Sequence, residues 1–293
     1  MKETFVNHRF GPAQLQMVKA CNDIVRNYQA QNLRLTLRQL YYQLVTQNII
    51  TNEEKSYKNL GKLLSNARLA GLVDWEAIED RVRVPRMPQQ FDDLGDLVTT
   101  ALSAYRLPRW NGQDVYAELW VEKDALSGVL APLAREFHVP LLVNRGYSSQ
   151  SAMYDSSKRF IDNAKRGKSI LFYLGDHDPS GEDMVRDIQD RLDMFGAEVS
   201  VEKLALTMKQ VQQYNPPPNP AKHTDSRYAK YAAEHGNQSW EVDALSPDVL
   251  NRLIRTAFRQ VIDMEKMDAI LEQEKKDKVL LQAAVASLQK GKK

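Results

Sequence analysis

From residue 115 to residue 206 the chain alternates short apolar runs with longer segments of helical periodicity, and few folds accept that pattern. VYAELWVE reads as a strand, DALSGVLAPLAREF as a helix, PLLVN as a short strand and SQSAMYDSSKRFIDNAK as a helix. SILFYLG then reads as a fully apolar strand, PSGEDMVRDIQDRLDMF as a helix and AEVSVEKLAL as a further strand. Strands joined by helices of ten or more residues are long crossovers, so the predicted class is α/β with a mainly parallel sheet. In such sheets the side chains that do chemistry collect at the carboxyl ends of the strands.

The acidic residues fall there. Glu122 ends the first strand in WVEKDAL, and Asp176 and Asp178 follow the apolar strand in GDHDPSG. If the two strands are neighbours, three carboxylates converge on one sheet edge. Hard oxygen donors of this kind suit Mg2+, which takes one or two carboxylates together with water and phosphate oxygens. Gly175 and Gly181 permit a tight turn, and Pro179 sits where the next helix would start. The competing reading is that Asp176 and Asp178 only cap that helix. Glu182, Asp183 and Asp187 lie further along it and rank below the three.

A strand-end glutamate followed by Asp-x-Asp after a hydrophobic strand resembles the Toprim domain of topoisomerases, primases and several nucleases. That resemblance implies a Rossmann-like sheet and Mg2+-dependent phosphodiester chemistry, with Glu122, Asp176 and Asp178 as the metal residues.

The N-terminal part reads as helices. GPAQLQMVKACNDIVRNYQAQ has apolar residues near helical spacing, Thr36 is a plausible N-cap for LRQLYYQLV, and a third helix runs from Lys55 or Ser56 through Ala70 to Gly71. RVRVPRMP, with alternating basic and β-branched residues, follows as a β-like ribbon. Three helices and a basic ribbon predict a winged helix-turn-helix, a module that places a helix in the DNA major groove.

Within it, Arg38, Leu40, Tyr41 and Tyr42 in TLRQLYYQLV resemble the catalytic-tyrosine motif of topoisomerase VI A subunits and the related meiotic double-strand-break protein. The order of winged helix and then Toprim is the same, VEKDAL matches the family's glutamate region, and LALTMKQVQQYN and WEVDALSP resemble the end of its Toprim domain. The likeness spans roughly residues 30–260. It implies Tyr42 as nucleophile, Arg38 one helical turn earlier as the residue that binds phosphate or eases ionisation of the phenol, Mg2+ as cofactor and double-stranded DNA as substrate. It also implies a homodimer in which each tyrosine acts beside the partner's metal site. Family members of full length engage an ATP-hydrolysing subunit; this chain, whose winged helix begins almost at residue 10, resembles the shortened stand-alone Mini-A forms. The alternatives are a hydrolytic Toprim nuclease, in which Tyr42 merely packs, and a DNA-binding scaffold that does not cut.

Net charge is only +2, but Arg34, Arg38, Lys55, Lys58, Lys62 and Arg68 stand against only Glu53 and Glu54 between residues 34 and 68. A local basic excess on a near-neutral chain is the footprint of one DNA-facing surface; the competing reading is a solvated helix face. The DNA-contact candidates are Arg34, Lys58, Lys62, Arg68, Arg81 and Arg83, with Lys123 and Arg145 at strand ends. The expected organisation is a winged-helix domain over 1–90, a linker over 91–112, the metal-binding domain over 113–262, and a C-terminal helix with a basic tail over 263–293. Residues 214–239, rich in proline and polar residues, read as loop, with His223 a weak candidate for proton transfer. NAKRGKS ends like a phosphate-binding loop, but Asp162 stands where that motif needs glycine. No apolar run of membrane length and no signal-peptide pattern occurs, and a single Cys21 excludes an internal disulfide. A cytoplasmic protein is the expectation.

Overall fold

The computed structural model describes residues 2–79 and 88–290, and joins a group of N-terminal helices to a domain built on a parallel sheet. Helices α1 (Pro12–Gln29), α2 (Leu37–Thr46) and α3 (Glu54–Leu69) come first. Thr36 caps α2 as expected: its hydroxyl accepts from the Gln39 N–H at 3.2 Å, and the Gln39 side chain accepts from the Thr36 N–H at 2.8 Å. The ribbon expected over 81–88, and with it Arg81 and Arg83, falls almost wholly outside the described residues. Helix α4 (Leu94–Ala104) follows within the expected linker.

The second part runs β1 (Val115–Val121), α5 (Ser127–Phe137), β2 (Leu141–Val143), α6 (Gln150–Asn163), β3 (Lys168–Leu174), α7 (Pro179–Met194) and β4 (Ser200–Ala205). All strand pairings in this sheet are parallel, in the order β2-β1-β3-β4. Side chains alternate faces along a strand, and both faces are covered. Ala117, Leu119 and Val121 of β1 join Phe172 and Leu174 of β3 in a core that continues into α5 and the N-terminal helices. Trp120, Leu171 and Tyr173 point the other way, into a second core with Met153, Phe160, Met184 and Ile188 from α6 and α7. Near-continuous apolar strands in the sequence follow from this double burial.

The segment expected as loop has local structure. Helix α8 (Met208–Tyr214) leads into β5 (Asn219–Pro220), α9 (Tyr228–His235) and β6 (Gln238–Ser239), with β5 and β6 pairing antiparallel. Prolines and polar residues mask α9 in sequence, because only Tyr231 of that helix is buried. Helices α10 (Pro247–Val261) and α11 (Met264–Lys290) complete the chain. Helix α11 is fastened to the expected linker: Glu274 accepts from Arg109 at 3.2 Å and from the Leu107 N–H at 3.1 Å, and Asp277 accepts from the Tyr105 hydroxyl at 2.7 Å. No helix among the described residues is long and apolar enough to cross a membrane.

Candidate active site

Strands β1 and β3 are neighbours and end level, Val121 opposite Leu174. The residues that follow are therefore adjacent, and the Asp176 N–H donates to Glu122 Oε2 at 3.1 Å. Gly175 is required by its own neighbour, since a Cβ there would lie 2.6 Å from the Tyr173 ring. Gly181 is equally constrained, with a Cβ falling 2.3 Å from the Asp176 carbonyl oxygen. Asp178 is the N-cap of α7: its Oδ1 accepts from the Gly181 N–H at 2.6 Å and the Ser180 hydroxyl at 3.0 Å. The capping reading thus holds for Asp178, whereas Asp176 faces inward.

Two further carboxylates reach this edge. His177 and Trp240 exchange backbone hydrogen bonds of 2.8 and 2.9 Å, which lays residues 241–243 against the turn. The Val242 N–H donates to Asp176 Oδ1 at 2.9 Å. Lys123 sits among the acids, its Nζ 2.7 Å from Asp176 and 3.5 Å from Asp243, and it also pairs with Glu241. From the N-terminal helices Arg38 enters the same cluster, with Nε 3.1 Å from Asp243 Oδ2 and Nη2 2.5 Å from Glu241. The same Nη2 lies 3.5 Å from the Tyr42 hydroxyl.

Burial governs the electrostatics. It raises the Asp176 carboxyl, an effect Lys123 opposes and Asp243 reinforces. It raises Glu122 as well, helped by the charge of Asp176. Burial is the main reason the charged form of both is disfavoured, even with Lys123 against Asp176. Tyr42 is only 6% exposed, and burial also raises its phenol; Arg38 pulls the other way without prevailing. The expected easing of ionisation by Arg38 is therefore present but outweighed. Tyr41 is buried too, its hydroxyl bound to Asn52 at 2.9 Å. Tyr42 lines a cleft of about 360 Å³ with Arg38, Tyr57 and Asn219.

The remaining candidates scatter. Arg34, Lys58 and Lys62 are exposed on the helical segment, with Lys58 paired to Glu54 at 2.7 Å. Arg68 turns inward, donating to the Trp75 carbonyl at 2.7 Å and stacking 4.5 Å over the Trp75 ring. Lys123 belongs to the acidic cluster, and Arg145 pairs with Asp124 at 3.3 Å. The sequence pointed to Glu241 and Asp243 only through the resemblance of WEVDALSP. It gave no role to His177, which with Glu182 and His235 forms a group of metal-donor atoms all within 4.8 Å of one another. Glu122, Asp176 and Asp178 do not close to that spacing, with the Lys123 ammonium lying against Asp176. No protein-family model matches the chain, and no curated protein sequence does.

The raised carboxyls fix the sign of a pH effect. A carboxyl whose folded-state pKa exceeds its unfolded value of about 4 favours the fold below that value, and the advantage is lost as pH rises through the folded value. Glu122→Gln should therefore raise the melting temperature at neutral pH by about 2 °C or more, with the gain disappearing near pH 4. Calorimetric melts across that range check it, and an equal or lower melting temperature at neutral pH would show that Glu122 is not held against its charge.

Proposed function

We propose that this chain cleaves DNA by tyrosine transesterification, with the helical segment acting as a winged-helix DNA reader and the sheet as a Toprim domain. The observation that carries the reading is Arg38, which joins the Tyr42 hydroxyl to Glu241 and Asp243 and so makes the tyrosine and the acidic edge one site. The Tyr42 oxygen attacks a backbone phosphorus, forming the P–O(Tyr) bond as the bond to a deoxyribose oxygen breaks. That sugar oxygen leaves with a proton, and the phenol proton passes to solvent. Arg38 binds the phosphate and holds the developing phenolate charge, the role a weak phenol nucleophile needs. Glu122, Asp176 and Asp178 are the residues that would hold Mg2+, with Asp243 and Glu241 beside them and Lys123 against Asp176. When bound, Mg2+ supplies charge stabilisation at the reacting phosphate oxygens. The carboxylates at this edge offer the oxygen donors that Mg2+ takes, and Lys123 and Arg38 hold the cationic places among them. The exposed Arg34, Lys58 and Lys62 are the residues suited to the DNA backbone. A homodimer would cut both strands, and an ATP-hydrolysing partner would be needed for strand passage.

One observation favours a second reading. Burial raises the Tyr42 phenol further above its ordinary value, which weakens it as a nucleophile and favours carboxylates that direct water, as in a hydrolytic nuclease.

Supercoiled plasmid incubated with the protein and Mg2+, then quenched with SDS, separates the two. Transesterification predicts nicked or linear DNA that enters a gel normally only after protease, and a loss of more than about a hundredfold in Tyr42→Phe. Protein-free breaks that persist in the variant would establish hydrolysis. The resemblance implies that each tyrosine acts beside the partner's metal site, but Arg38 and Tyr42 lie against the acidic edge of their own chain, so a mixture of Tyr42→Phe and Glu122→Gln proteins should stay inactive. Restored nicking in that mixture would pair each tyrosine with its partner's carboxylates.

A further inference from the structure

The turn that presents Asp176 and Asp178 carries a buried histidine between them, and its surroundings prepare it as a ligand. His177 is 1% exposed, and its Nδ1 lies 2.8 Å from the Tyr231 hydroxyl. That hydroxyl has one proton and two carbonyl acceptors, His177 O at 3.0 Å and Gln238 O at 2.9 Å. Carbonyl oxygens only accept, so the hydroxyl proton goes to one of them and the Nδ1–H donates to the hydroxyl oxygen. The proton is thereby fixed on Nδ1, and the Nε2 lone pair faces outward. A ring nitrogen held by a hydrogen bond so that the other is free is the usual support of a metal-binding histidine.

Around Nε2 stand the Glu182 carboxylate and the His235 ring. Glu182 Oε1 is 3.7 Å away, too long for a hydrogen bond. The His235 ring stands edge-to-face to His177 with centroids 4.8 Å apart. Donor atoms of the three residues all lie within 4.8 Å of one another. Glu182 is held in place by Lys203 Nζ at 2.6 Å, and a carboxylate has acceptor capacity for both a lysine and a metal. The group opens on a cavity of about 250 Å³ lined by Pro179, Glu182, Tyr231 and His235, which leaves space for a further ligand or water.

We infer that His177, Glu182 and His235 form a second metal site, for Zn2+ or a similar divalent transition metal. Two imidazoles and one carboxylate suit zinc or cobalt, whereas Mg2+ prefers oxygen alone. This site is chemically distinct from the acidic edge and does not depend on the role of Tyr42. Its ligands come from the turn after β3, the first turn of α7 and the end of α9. A metal there clips the segment 222–239 onto the sheet edge, next to the His177–Trp240 pairing that presents Glu241 and Asp243. Bound metal then stabilises the folded arrangement by mass action.

Untagged protein stripped with chelator and titrated with Co2+ tests the site through the visible ligand-field bands. The expected result is one Co2+ per chain giving these intense bands, displaced by Zn2+, with affinity at least about tenfold weaker in both His235→Ala and Glu182→Gln and unchanged in the exposed Glu272→Gln. Zn2+ should raise the melting temperature of the wild type and leave that of His235→Ala unmoved. Melts of both variants without metal verify that they fold. No such Co2+ band in the wild type, undiminished affinity in His235→Ala, or an equal loss in Glu272→Gln would each overturn the assignment.

Discussion

The register between β1 and β3 is the constraint on which the rest of the molecule depends. With Val121 opposite Leu174, the chain leaves both strands at one level and in one direction, so Glu122 and Asp176 have no choice but to meet. A slip of one residue would exchange the two faces of β1, sending Trp120 into the core of Leu119 and Phe172. Several side chains of this sheet are buried almost completely, each stabilising the fold by roughly 1.5–3 kcal/mol, and that sum fixes the register. The acidic edge is thus held by apolar packing that has no chemistry of its own.

Against that packing the edge works in the opposite sense. Glu122 and Asp176 are raised above their ordinary range, and Lys123 and Arg38 are drawn in to balance them along with Glu241 and Asp243. Sites that hold like charges together are stabilised by their ligands more than by themselves. The same balance explains why a tyrosine on a helix 80 residues earlier belongs to the site. Arg38 and Tyr42 are one turn apart on α2, and the arginine is drawn to the acids.

The readable part of the molecule was local. Strand–helix alternation, the Thr36 cap and the strand-end position of Glu122 and Asp176 all follow from periods of two and 3.6 residues and from capping chemistry. The pairing of His177 with Trp240 was not legible, because it joins residues 63 positions apart through a two-residue bridge with no periodic pattern. Glu241 and Asp243 consequently had no place at the edge from spacing alone. Asp178 shows how an aspartate after a strand can serve as a helix cap rather than an inward-facing acid, since its Oδ1 accepts from the Gly181 N–H. Arg68 counted toward the basic surface yet is spent on Trp75, because charge in sequence does not report which way a guanidinium turns. His235 stands on a helix hidden by its proline-rich surroundings.

The central claim is that the Tyr42 oxygen becomes bonded to DNA phosphorus. Protein trapped with SDS on a duplex in the presence of Mg2+, trimmed with nuclease and digested with trypsin, gives peptides whose masses report the bond. The account predicts a nucleotide adduct on the peptide that contains Tyr42. An adduct on any other residue, or cleaved DNA with every tyrosine peptide unmodified, would contradict it.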